Sequence, residues 1–117
     1  MQKQHRLRAN SDFQRLRREG KTLVHPLVVL SCLPNDREQS RFGFAVGSRI
    51  AKAAKRNRIK RRMREAVRVR LQKQEIVQGW DVVLIARQPI LGASFQQIDQ
   101  AIGHLLRRAG LVSEARL

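Results

Sequence analysis

Within residues 55–73, four apolar side chains (Ile59, Met63, Ala66 and Val67) fall on one stripe at the helical period, in a segment that is otherwise largely basic. Such a helix is too charged to be buried all round. It must lay its narrow stripe on a sheet and turn the rest of its circumference to solvent or to an anionic partner. Any fold for this chain has to supply that sheet.

The flanking sequence does so. Residues 10–20 run from a polar cap at Asn10 to a stop at Gly20, and Phe13 and Leu16 share one face. Residues 22–33 are β-branched and apolar, with Pro26 dividing them into two short strands or one bent edge strand. Turn residues follow at 34–38, then a strand at 41–47. The run Trp80-Asp81-Val82-Val83-Leu84-Ile85-Ala86-Arg87 is the clearest strand, apolar on both faces and therefore expected inside the sheet. Pro89 and Gly92 break it. Ser94 and Gln97 have capping-box spacing, and Ile98, Ile102, Leu105 and Leu106 form the buried stripe of a last helix that stops at Gly110. The expected fold is α+β, a single-domain sandwich of about four strands and three helices. A chain of 117 residues makes one domain, spanning 1–117, with flexible ends expected at 1–8 and 111–117.

Charge sets the partner. The chain carries 25 Lys and Arg against 9 Asp and Glu, a formal net charge of +16. So large an excess on a small domain calls for a polyanion. The basic segments lack the bulky apolar anchors that membrane binding needs, which leaves nucleic acid. Between residues 49 and 73 there are twelve basic residues and one acid, Glu65. Solvated helix faces normally mix signs. Arg outnumbers Lys here, which suits bidentate contact with phosphate oxygens. Base readout would want more Asn, Gln, Ser and Thr than Asn57 and Gln72, so the helix reads phosphates rather than DNA sequence. No apolar run reaches the roughly 18 residues of a membrane span, and the basic start is followed by no signal-like apolar segment. With the lone Cys32, these features suggest the cytoplasm.

Catalytic groups are sparse. His5, His25 and His104 are scattered, no metal-ligand spacing exists, and the acids form no pair suited to a two-metal nuclease. Ser48 and Ser94 have no evident His–acid partners. Cys32 reads as a small buried hydrophobe, and Trp80 as a core anchor. The protein alone is expected to be no enzyme and to bind no metal or cofactor. On charge alone, a ribosomal protein or a general RNA chaperone with no role in a nuclease fits equally well.

Arg56-Asn57-Arg58-Ile59-Lys60-Arg61, with Ala53 three residues before and Arg64 three after, resembles the signature of the bacterial ribonuclease P protein family. Arg6-Leu7 before Asp12-Phe13, the strand Gly43-Phe44-Ala45-Val46, and Val83-Leu84-Ile85-Ala86-Arg87 with Pro89 extend the resemblance over residues 6 to 108. It implies a subunit that assembles with a catalytic RNA, which cleaves the 5′ leader from precursor tRNA with bound magnesium. It also implies an α-β sandwich with a left-handed crossover through the arginine-rich helix. By the same resemblance, Arg56, Asn57, Arg58, Lys60, Arg61 and Arg64 meet the catalytic RNA, with Arg49, Lys52, Lys55, Arg62 and Arg68 on the same basic surface. The amide of Asn57 could equally cap the helix start. The implied leader-binding cleft comprises Phe13, Arg17, Ser31 and Phe44. Arg17 stands where some members have Phe, and Ser31 where some have Tyr, so fewer rings are available for stacking. Phe13 equally reads as core.

Overall fold

The computed structural model describes residues 3–7 and 10–113. Three helices and four strands follow in the order α1 (Asn10–Glu19), β1 (Lys21–Val24), β2 (Val28–Pro34), β3 (Arg41–Ala45), α2 (Ala53–Gln72), β4 (Trp80–Ala86) and α3 (Phe95–Arg108). Short 3-10 turns occupy Lys3–His5 and Gln88–Gly92. The expected α+β class and element order are those observed.

Pro26 splits the apolar run into two strands, and the backbone N–H of His25 donates to Val28 O at 2.9 Å to close the turn. The sheet order is β1-β2-β4-β3. β2 is antiparallel to both β1 and β4, while β3 runs parallel to β4, with Gly43 opposite Val83. Parallel neighbours need a crossover, and α2 supplies it. β4 lies inside the sheet, as its two-sided apolar run requires.

Alternate residues sort to opposite faces. Val28, Leu30, Cys32, Phe42, Val82, Leu84 and Ala86 meet Ile59, Met63, Ala66 and Val67 of α2 and Ile98, Ile102, Leu105 and Leu106 of α3 in one buried cluster. On the other face Val83 packs with Leu16 of α1 and with Leu7, bordered by Phe13, Leu33 and Ile85. The sheet is therefore sandwiched between α2 and α3 on one side and α1 on the other. Ser94 and Gln97 close the capping box at the start of α3. Gly110, at φ +74°, lets the chain leave the helix in a Schellman turn, with Leu111 N donating to Leu106 O and Gly110 N to Arg107 O.

Within the ends expected to be flexible, 1–8 and 111–117, the described residues make backbone contacts. Leu7 N donates to Phe42 O at 2.8 Å, so residues 6–7 lie along the outer edge of β3 and satisfy backbone groups that an edge strand leaves open. Leu111 is buried, and Val77 N donates to its carbonyl at 2.8 Å. Residues 1, 2, 8 and 114–117 of those ends lie outside the described residues.

Candidate nucleic-acid interface

The stripe of α2 faces the sheet, and its opposite side is open. Arg49, Lys52, Lys55, Asn57, Arg58, Arg61 and Arg62 are exposed. The positive end of the helix dipole adds to their charge at the first turn. The first acid in this direction is Glu65, and Arg68 clasps it through Nε at 2.8 Å and Nη2 at 2.5 Å. Those hydrogen bonds hold the Glu65 carboxyl below its ordinary pKa. The outer surface over the first turns thus carries one sign of charge.

Three of the expected basic contacts are engaged within the protein. Arg56 Nη1 donates to Ala51 O at 2.8 Å and ties the preceding loop to the helix. Arg68 is committed to Glu65. Arg64, expected on the open side, is half-buried with its guanidinium 5.8 Å from the Phe44 ring centroid. Burial, then the like charges of Arg6 and Arg61, lower its pKa from the ordinary arginine value. Asn57 lies a turn inside a helix whose N-cap is Lys52, and its amide has no hydrogen-bond partner among the described residues. Its capping alternative is not realised.

A groove of about 400 Å³ runs beside this surface, between α1 and the sheet edge. Phe13, Arg17, Phe44 and Lys60 line it, over Val83 and Ile85. An adjoining hollow of about 200 Å³ is lined by Phe13, Phe44, Arg6, Lys60 and Arg64. Among the described residues, no Asp or Glu stands in the wall of either compartment. Two aromatic faces and several cations therefore face one trough, a combination that accepts unstacked bases and their phosphates. Phe13 combines both of its readings: it packs against the smaller core cluster and lines the trough.

Ser31 is corrected. It lies on β2, 2% exposed, and its hydroxyl shares a hydrogen bond of 2.9 Å with Thr22 Oγ1. In register with Val83, it shares the α1 face of the sheet but lines neither compartment, because α1 packs over β2 there.

Sequence reasoning missed the acid that ties α1 to the sheet. Asp81, fully buried, accepts from Arg41 Nε at 2.9 Å and Nη2 at 2.7 Å, from Arg15 Nη2 at 3.0 Å and from Asn35 Nδ2 at 2.9 Å. Burial raises its pKa, but the bonds from Arg41 and Asn35 and the charges of Arg41 and Arg15 prevail and leave it below the usual value. The network pins α1, through Arg15, to the sheet and so sets one wall of the groove. A lone carboxylate opening an apolar strand is the one signal the sequence offers for it. Arg6 and Lys60 also line the trough, although the sequence pattern marks Arg6 only by its motif and Lys60 only as part of the helix surface.

Among the described residues, no three His, Cys, Asp or Glu side chains come together where they could hold a metal ion. Cys32 is buried, and burial raises its thiol pKa. Trp80 is half-buried and packs against the main core. Ser94 is engaged as a helix cap.

Residues 1–110 match the family model described as Ribonuclease P. Over 116 residues the chain is 45% identical to the ribonuclease P protein component of Roseiflexus castenholzii, covering 98% of this chain and 93% of that protein. Among solved structures it is similar to the RNase P protein of Staphylococcus aureus, with a TM-score of 0.84 and 31% identity over 93% of this chain and 98% of that one. The RNase P protein of Thermotoga maritima gives a TM-score of 0.79 and 33% identity over 88% and 96%.

Proposed function

The chain belongs to the ribonuclease P protein family, and from that premise we propose how it serves as a subunit in removing the 5′ leader of precursor tRNA. The open side of α2 binds the catalytic RNA, and the trough beneath α1 holds the leader. Arg49, Lys52, Lys55, Asn57, Arg58, Arg61 and Arg62 meet RNA phosphates, while Arg56, Arg64 and Arg68 shape that surface through their protein contacts. Phe13 and Phe44 offer faces to leader bases, and Arg17 and Lys60 take the adjoining phosphates. Ser31 serves the strand rather than the leader.

The observation that carries this reading is the uniformly basic outer surface over the first turns of α2, beside a trough with two aromatic faces and no acid among the described residues. Neutralising several phosphates releases counterions, which gives such a surface affinity without base sequence. In this reading the magnesium ion and the cleavage chemistry belong to the RNA. No helix among the described residues is long and apolar enough to cross a membrane, and the reading places the subunit in the cytoplasm with the RNA. Membership of the family sets aside the ribosomal-protein and general-chaperone alternative.

The test is reconstitution. Catalytic RNA plus protein should cleave precursor tRNA at low magnesium, RNA alone should do so poorly, and protein freed of RNA should not cleave at any magnesium level. Magnesium-dependent cleavage of precursor tRNA by RNA-free protein would overturn the assignment of chemistry to the RNA.

A further inference from the structure

At the far edge of the sheet from the groove, where β1 is the outer strand, lies a hollow of about 690 Å³. The turn after β1, the 3-10 turn after β4 and one stripe of α3 border it, and it is open to solvent. Gln97, Gln100, His104 and Arg107 recur along that stripe at three- and four-residue steps, and His25 faces them from the β1–β2 turn. The two imidazole rings meet edge to face with centroids 6.0 Å apart.

The polar side chains of the wall can all donate hydrogen bonds, and they stand beside apolar Leu27, Pro89 and Ala101. Leu27 N donates to His25 Nδ1 at 3.0 Å, which assigns the proton of the neutral ring to Nε2 and leaves that atom a donor. With Nδ1 occupied, His25 is better suited to donating to an anion than to binding a metal ion through Nε2. Arg87 closes the turn from outside, with Nη1 donating to His25 O at 3.2 Å. Arg107 is exposed, and among the described residues no Asp or Glu lines the hollow. Burial, then the neighbouring His104, hold the His25 pKa below the ordinary imidazole value. An anion between the rings would offset that like-charge interaction.

We propose that this hollow is a second phosphate-binding site, which takes a phosphate group, from an RNA strand or a free phosphate compound, between His25 and His104 and against Arg107. The volume falls within the range of roughly 300–1,000 Å³ of small-ligand pockets. The site stands independently of the leader-processing reading. An RNA strand as the source would give the protein contacts at both edges of the sheet.

The experiment is an NMR titration of the free full-length protein, following the histidine ring protons against sodium pyrophosphate and, separately, a short single-stranded RNA. Saturable shifts at His25 and His104, with the His25 pKa rising on binding, are expected with pyrophosphate. Shifts of the same rings with the RNA identify a strand phosphate as an occupant, and shifts with pyrophosphate alone identify a free phosphate compound. Arg107→Ala and His104→Ala should each weaken binding by about tenfold, the worth of one charged hydrogen bond, and Arg107→Lys should restore part of it. Silent rings with both probes, or unaltered affinity in Arg107→Ala, overturn the site. Arg58→Ala with Arg61→Ala should leave the ring shifts intact. If catalytic RNA fails to bind while pyrophosphate still shifts the rings, the proposed function falls and this site stands. Normal reconstitution with silent rings gives the reverse.

Discussion

Phe13 packs directly on Gly43: a Cβ built at position 43 would overlap the Cε1 and Cζ atoms of the ring. The glycine is required by this close approach rather than by an unusual backbone angle. It lets an aromatic side chain of α1 reach the backbone of an edge strand, where one side of the ring joins the core and the other borders the groove.

Gly43→Ala should therefore displace the ring and lower stability by about 1–3 kcal/mol, the usual cost of overpacking. Urea denaturation measures the loss. The same variant should weaken binding of leader-bearing precursor tRNA more than binding of mature tRNA. Equal weakening of both would show that the ring does not border the leader.

Asp81 gives an acid-side prediction. Its folded-state pKa is lowered, so its contribution to stability is present above the unfolded carboxylate value of about 3.9 and is lost as pH falls through the lower folded value. Melting temperature should hold level in this contribution from neutral pH to about 5 and fall below about 4. Asp81→Ala leaves Arg41 and Arg15 without their carboxylate and should cost about 3–5 kcal/mol, with the acid-side fall reduced. Thermal melts of both proteins across that pH range provide the check.

Met63 and Arg61 lie on opposite sides of α2. Met63 is fully buried, so Met63→Ala should cost about 2–5 kcal/mol of stability, and RNA binding should fall only as far as the protein unfolds. Arg61→Ala should lose RNA affinity with melting preserved. Melting temperature and Kd measured in one buffer separate the two, and loss of binding without loss of melting in Met63→Ala would mean that the helix is rotated.

The salt dependence of catalytic-RNA binding should reveal which cations meet phosphates. Replacing both Arg58 and Arg61 with Ala should lower the log–log slope by roughly 0.7–0.9 for each phosphate that is no longer neutralised. Stability should change by no more than about 0.5 kcal/mol, since both side chains are exposed. An unchanged slope would mean that this side of the helix faces something other than phosphate.

Local chemistry made much of the fold readable. The stripe of Ile59, Met63, Ala66 and Val67, the two-sided apolar run of β4, the division at Pro26 and the Ser94–Gln97 box depend on residues a few positions apart. Their periods and caps carry the information without a partner. The excess of arginine on α2 was equally plain. Its extent was not: the helix begins at Ala53, and alanines carry no sign of which face they occupy.

That a basic helix must lie on a sheet and seek a polyanion can be read from local residue order alone. Which cations remain free to do so depends on contacts made across the fold. Arg41 finds Asp81 forty residues away, Arg64 turns onto Phe44, and Ser31 turns inward to Thr22. Long-range pairing of this kind leaves no trace in local period or composition. It is settled when the sheet forms and brings distant side chains within hydrogen-bond reach, where a buried charge must find its partner or cost the fold dearly.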